Sequence, residues 1–139
     1  MMQPWAMLMA IDAKRVETRG WSTNFRGWVA IHASKRFPGE CLRLCDGPAY
    51  FWPALHRGGV AYPENLPRGQ ILAVTEIIGC RRTEHVQVTE QERAFGNYTP
   101  GRYAIFTAGV RRLKHPITIK GALGLWRLRG GPLLEGHDF

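Results

Sequence analysis

The chain has 139 residues, an apolar fraction of 45% and a formal charge of +8 at neutral pH. That allows one domain with a modest core, excludes wholesale disorder, and leaves no apolar stretch long enough for a membrane-spanning helix. The cations come as scattered pairs, Arg81-Arg82, Arg111-Arg112 with Lys114, and Arg127 with Arg129, rather than as one tail. This suits a folded surface offered to a polyanion, the plainer reading being a solvated basic surface.

Residues 4–13 read as a first helix, with Pro4 near its start and Trp5, Ala6, Leu8, Met9 and Ala10 in a helix-compatible run. Gly20 and Thr18 end it before Trp21, which leaves Lys14 at or just past its C-terminus. Residues 16–19 form a short extended piece in which Glu17 and Arg19 share one face and Val16 and Thr18 the other. Residues 28–32 read as an interior strand with Val29 and Ile31 inward and His32 near its end. The stretch 39–66, punctuated by Pro48, Pro53, Gly58-Gly59 and Pro63, has little pattern, and one or two short helices are expected there.

The turn at residues 67–70 launches the strongest strand, 71–80, rich in β-branched residues. Ile71, Ala73 and Thr75 share one face of it, and Leu72, Val74 and Glu76 the other. Thr89 followed by Glu92 marks a helix start that Gly96 ends. Residues 102–109 form another strand, which the basic stretch 110–115 either continues or turns away from. Residues 116–120 are extended, and 121–126 make a compact turn with Trp126 packed inward. One domain over residues 1–129 is expected, with a variable excursion at about 39–67 and a loosely held tail at 130–139. Four to six strands, short helices and no βαβ spacing around a phosphate loop predict an α+β fold, a small mixed β-barrel with short flanking helices.

Lys14, Glu17, Arg19 and Arg26 carry the strongest chemical suggestion. A cation pair beside a carboxylate can bind phosphate, and the carboxylate can accept from a base amino group. The alternative is a surface salt-bridge network. Trp5, Trp21 and Trp28 surround the group, as a stacking platform or as core packing. His32 and Lys35 follow; the histidine is as well suited to a structural hydrogen bond as to catalysis. Glu76 is an acid within the strongest strand, at a solvated end or in a polar cavity. The three cysteines, Cys41, Cys45 and Cys80, lack CxxC spacing, so reduced thiols in the cytoplasm are expected, with no metal and no cofactor. The N-terminus lacks the pattern of an export signal, because Pro4 and Asp12 interrupt it. Walker, dinucleotide, HExxH and GxSxG patterns are absent.

The segments Gln3-Pro4-Trp5-Ala6, Lys14, Glu17-Thr18-Arg19, Trp21, Arg26-Gly27 and Ile31-His32-Ala33-Ser34-Lys35 together resemble the ASCH domain family. The resemblance continues through residues 69–75, Gly101-Arg102-Tyr103-Ala104, Pro116, Lys120-Gly121 and Leu123-Gly124-Leu125-Trp126. It implies a PUA-like barrel, related to the pseudouridine-synthase-associated RNA-binding domain, with a cleft near the first helix. It also implies binding of RNA, single-stranded DNA, or a nucleoside or nucleotide. The binding set would be Trp5, Lys14, Glu17, Arg19, Trp21, Arg26, His32 and Lys35, with Arg102 and Lys120 from the later segments. Some small bacterial relatives are amidohydrolases acting on acetylated cytidine through a lysine, a threonine and a glutamate. By position their lysine falls on Lys14 and the basic residue closing the motif on Arg19. Glu17 stands at the threonine position, a departure, and Glu76 is the nearest candidate for the glutamate. A ribonuclease using Lys14, His32 or Lys35 is the other enzymatic alternative. A protein-interaction module built on Tyr50-Phe51-Trp52 is a third possibility.

Overall fold

The computed structural model describes residues 1–47, 50–122 and 124–125. The helix α1 (Trp5–Ala10) runs through the core, with Ala6, Met7, Leu8, Met9 and Ala10 all buried. Large apolar side chains such as Leu8 each contribute roughly 1.5–3 kcal/mol by leaving water, which makes this short helix an anchor despite its length. Buried Gln3 fastens its start: Oε1 accepts from the Met7 N–H at 2.9 Å and Nε2 donates to the Pro67 carbonyl at 2.8 Å. The helix is shorter than the span 4–13 suggested. The N–H groups of Ala13 and Lys14 both return to the Leu8 carbonyl, at 2.9 and 3.0 Å. Asp12 adopts a φ of 62°, a left-handed conformation that Asp tolerates better than most residues.

Four strands follow: β1 (Val16–Arg19), β2 (Gly27–Ala33), β3 (Gln70–Arg82) and β4 (Tyr103–Thr118). They form one sheet in the order β1-β4-β3-β2, and each neighbouring pair is antiparallel. The expected β-barrel is therefore corrected to an open sheet with flanking helices, the α+β class being retained. Closure would require β1 to pair with β2. Instead β1 is four residues long and pairs with β4, while Met1 hydrogen-bonds at the end of β2: its terminal ammonium donates to the His32 carbonyl at 3.0 Å and its carbonyl accepts from the N–H of Ser34, just past the strand, at 2.8 Å. β4 runs unbroken through the basic stretch and Pro116. The register between β3 and β4 slips there, Ile71 facing Ile117 but Ala73 facing Arg112, which accommodates a residue that cannot donate to the ladder.

Between β2 and β3 lie α2 (Gly39–Asp46) and α3 (Phe51–Arg57), whose Cys45, Phe51, Ala54 and Leu55 join the main core around α1. Phe51 meets Phe95 edge-on with ring centroids 4.9 Å apart and is buried in the core, while Tyr50 and Trp52 on either side of it are only part-buried. The helix α4 (Glu90–Ala94) begins as its sequence indicates, with Thr89 Oγ1 accepting from the Glu92 N–H at 3.1 Å. The turn at residues 121–126, with Trp126, and the tail at 130–139 fall in part or wholly outside the described residues.

Candidate functional site

Alternation along β1 turns Val16 and Thr18 inward and leaves Glu17 and Arg19 together on the other face. Glu17 becomes the centre of a short charged chain. Its Oε1 lies 3.4 Å from the Lys14 ammonium and accepts from the Thr18 N–H at 3.1 Å; its Oε2 accepts from Arg19 Nη2 at 3.2 Å. The two cations differ sharply in surroundings. The Lys14 side chain is wholly buried and its ammonium also donates to the Val16 carbonyl, whereas about a third of the Arg19 side chain (35%) meets solvent. Arg19 lies 5.9 Å from the ring of Trp21. Glu92 fixes the strand from behind, its Oε1 accepting from the Val16 N–H at 3.0 Å and from the Arg15 N–H at 3.2 Å.

In front of this chain is a hollow of about 120 Å³. Glu17, Arg19 and Trp21 form one wall, Val29, Ile31, Thr75, Ile77, Ile105 and Thr107 the strand floor, and Met9 of α1, His32 and Ala122 complete it. The floor hydroxyls donate to backbone, Thr75 Oγ1 to the Ala108 carbonyl at 3.0 Å and Thr107 Oγ1 to the Arg15 carbonyl at 2.8 Å. They still offer lone pairs as acceptors. His32 Nε2 faces the Ile119 carbonyl at 2.8 Å, and its ring packs so tightly on Gly121 that a Cβ there would approach within 2.4 Å. The histidine thus ties residues 119–121 to the hollow.

Of the residues singled out from sequence, Glu17, Arg19, Trp21 and His32 are on the hollow. Lys14 supports it from behind. Trp5 and Arg102 lie on the other side of Glu17 and Arg19, where they line a second hollow. Arg26 is exposed and its Nη1 donates to the Thr23 and Phe25 carbonyls; the stem of Lys35 lies over Gly69; Lys120 is exposed. Glu76 stands between Thr75 and Ile77, which line the hollow, and alternation directs it to the opposite face, across from Trp28. Trp28 is likewise away from the charged chain, with half its surface exposed (51%). Thr107 was missed, since strand 102–109 carried no sign of which face meets the ligand side. Thr75 was not singled out either; the sequence placed it only on the face of its strand opposite Glu76.

Cys41 and Cys45 are buried one turn apart on α2. Burial, with Asp46 beside it, pushes the Cys45 thiol up to about 11. Burial also raises Cys41, so neither is a thiolate nucleophile near neutrality. Among the described residues, no helix is long and apolar enough to cross a membrane.

Comparison with known proteins bears on the whole of this region. The ASCH domain model matches residues 1–117, which include α1, β1, the hollow's floor and nearly all of β4. The chain is 29% identical over 128 residues to human activating signal cointegrator 1, covering 91% of this chain and 21% of the relative. It is 28% identical over 130 residues to the mouse protein of the same name, covering 92% of this chain and 21% of the relative. The chain thus spans about a fifth of the length of these curated relatives. With the family model matching most of its length, the chain belongs to the ASCH domain family, within the PUA-like superfamily.

Proposed function

We propose that the chain binds single-stranded RNA or DNA by taking one base into the hollow between Trp21 and the strand floor, with the sugar-phosphate directed to Arg19. Family membership supports association with nucleic acid in general, and the charge of +8 supports a polyanionic partner. The observation that carries the finer reading is the braced carboxylate. Glu17 is held between Lys14 and Arg19 at the wall of an enclosure lined on its floor by aliphatic side chains. A carboxylate offers about four acceptor positions, so Glu17 retains capacity for a base amino group after its three contacts. Arg19 retains guanidinium donors for phosphate. At about 120 Å³ the hollow is below the roughly 300 Å³ at which drug-sized sites begin, which suits a single flat ring.

The hydrolase alternative needs a lysine that reaches the ligand. Lys14 is engaged by the Val16 carbonyl and by Glu17, and its side chain is wholly buried. Holding Glu17 is the role that geometry favours, so binding is the stronger reading. Residues 1–129 act as one unit in this reading, in the cytoplasm, where the three free cysteines stay reduced.

The test is an amide shift map of labelled protein titrated with nucleosides and short oligonucleotides. Shifts should centre on residues 17–21, Thr75 and Thr107, and affinity for oligonucleotides should fall as salt rises. Binding indifferent to salt and to Arg19→Ala combined with Arg26→Ala would overturn the reading. So would release of acetate from acetylated cytidine, or cleavage of RNA, that disappears in Lys14→Met while the fold persists.

A further inference from the structure

On the far side of Glu17 and Arg19 is a wider hollow of about 500 Å³. Met1, Glu17 and Arg19 line both spaces, so these residues form a ridge with a hollow on either flank. The second hollow is walled by α1, α2, α3 and the end of α4, through Trp5, Leu44, Phe51, Ala94 and Phe95, and closed by Arg102. Its apolar floor is firmly built: Trp5 meets Phe51 edge-on at 6.3 Å, and Phe51 meets Phe95 at 4.9 Å. Arg102 is oriented by backbone, with Nε donating to the Asn97 carbonyl at 3.1 Å and Nη2 reaching the Thr18 carbonyl at 3.5 Å.

We infer that this second hollow takes the neighbouring nucleotide of the same strand, so that one phosphodiester crosses the ridge at Arg19 and a dinucleotide is the smallest complete ligand. This rests on the first hollow being a base site. Three features carry it. The first hollow has room for a ring but not for a whole nucleotide, so sugar and phosphate must lie outside it, and the ridge of Met1, Glu17 and Arg19 borders both hollows. The ridge and the far wall each present an arginine, Arg19 and Arg102, while the acid between the hollows, Glu17, already faces two cations. Aromatic and aliphatic walls with guanidinium groups at the edge suit a stacked base and its phosphate. The volume of about 500 Å³ lies within the roughly 300–1,000 Å³ range of small-ligand sites.

The experiment compares calorimetric affinities of the four nucleoside monophosphates with those of the four homodinucleotides. It uses wild type, Ala94→Trp and Arg102→Gln. Ala94 is exposed and lines only the wider hollow, so a tryptophan there obstructs it without disturbing the core. In wild type at least one dinucleotide should bind tenfold or more tighter than its monophosphate, and should shift Phe51, Phe95 and Asn97. Ala94→Trp should remove that gain and leave monophosphate binding unchanged, and Arg102→Gln should reduce the gain at least threefold. Monophosphates that bind with no gain for any dinucleotide would overturn this inference alone. A gain that survives both variants, or shifts confined to the first hollow, would do the same. Failure of every mono- and dinucleotide to bind would overturn the base-site reading along with it.

Discussion

Two regions of the molecule pair an arginine with a tryptophan at nearly the same distance. Arg19 lies 5.9 Å from the ring of Trp21, and Arg111 lies 5.6 Å from the ring of Trp28. The contact chemistry is the same; the surroundings are not. Arg19 is held by Glu17, which is held by Lys14, and Trp21 forms the edge of an enclosure. Trp28 stands on the open outer face of the sheet, and the nearest heavy atom to a Cβ placed on Gly109 is at the end of its ring, 3.5 Å away. Gly109 has a φ of 67°, so Trp28 shields a backbone position that a side chain could occupy only under strain. A cation–π distance therefore does not distinguish a site from a surface. Enclosure, and a partner that fixes the cation, do.

The largest effect should come from removing the deepest brace. Lys14→Ala takes away the buried partner of a carboxylate that is itself only 15% exposed in its side chain. Breaking a buried pair from one side costs about 3–5 kcal/mol, and the residual exposure of Glu17 places the expected loss at about 3 kcal/mol in urea unfolding. Arg111→Ala should change unfolding stability by less than about 1 kcal/mol, since its contact is exposed. A Lys14→Ala protein as stable as wild type would show that Arg19 is not braced, and the contrast between the two pairs would collapse.

Binding gives the next effect. Arg19→Ala should weaken a short single-stranded RNA at least tenfold, about 1.4 kcal/mol, at low and at moderate salt alike. Arg111→Ala should cost about twofold at low salt and nothing measurable at high salt, because exposed charges are screened within about 10 Å at 0.1 M. Equal losses with equal salt dependence would mean that both arginines act only as surface charge.

Much of the braced region could be read from residue order. Alternation over residues 16–19 put Glu17 and Arg19 on one face, and the Thr89 to Glu92 spacing identified the start of α4. What local pattern could not supply was the second task of Glu92. Its carboxylate accepts from the Arg15 and Val16 N–H groups of a segment far away in the chain, and only its backbone N–H takes part in the helix cap, donating to Thr89 Oγ1. The open sheet was hidden for a similar reason. Nothing within β1 or β2 says that Met1 will hydrogen-bond at the end of β2 in place of β1. Glu76 is the opposite case. Strand alternation set it on the face away from Thr75, whereas the family resemblance made it only the nearest candidate for a catalytic glutamate, and in the structure it pairs with Trp28 while its neighbours Thr75 and Ile77 line the hollow. Trp28 was likewise grouped with the cluster by nearness in sequence, although its neighbour Val29 is the residue that reaches the hollow.

The smallest effect, that of Trp28→Ala set against Trp21→Ala, is the most discriminating. Trp21→Ala removes a wall of the enclosure and should weaken nucleoside binding by roughly 1–3 kcal/mol if a base stacks there. Trp28→Ala should leave nucleoside affinity within about twofold of wild type. It should lower stability by about 0.5–1 kcal/mol, the scale of an exposed cation–π contact. Only long oligonucleotides at low salt should register the change in binding, because they alone can reach Arg111 and the exposed cations of β4 while a base occupies the hollow. Should Trp28→Ala weaken a nucleoside as much as Trp21→Ala does, enclosure would not be what separates the two pairs. The base would then lie on the outer face of the sheet, with Arg111 as its cation and with Glu76, across the strands from Trp28, in place of Glu17 as its acceptor.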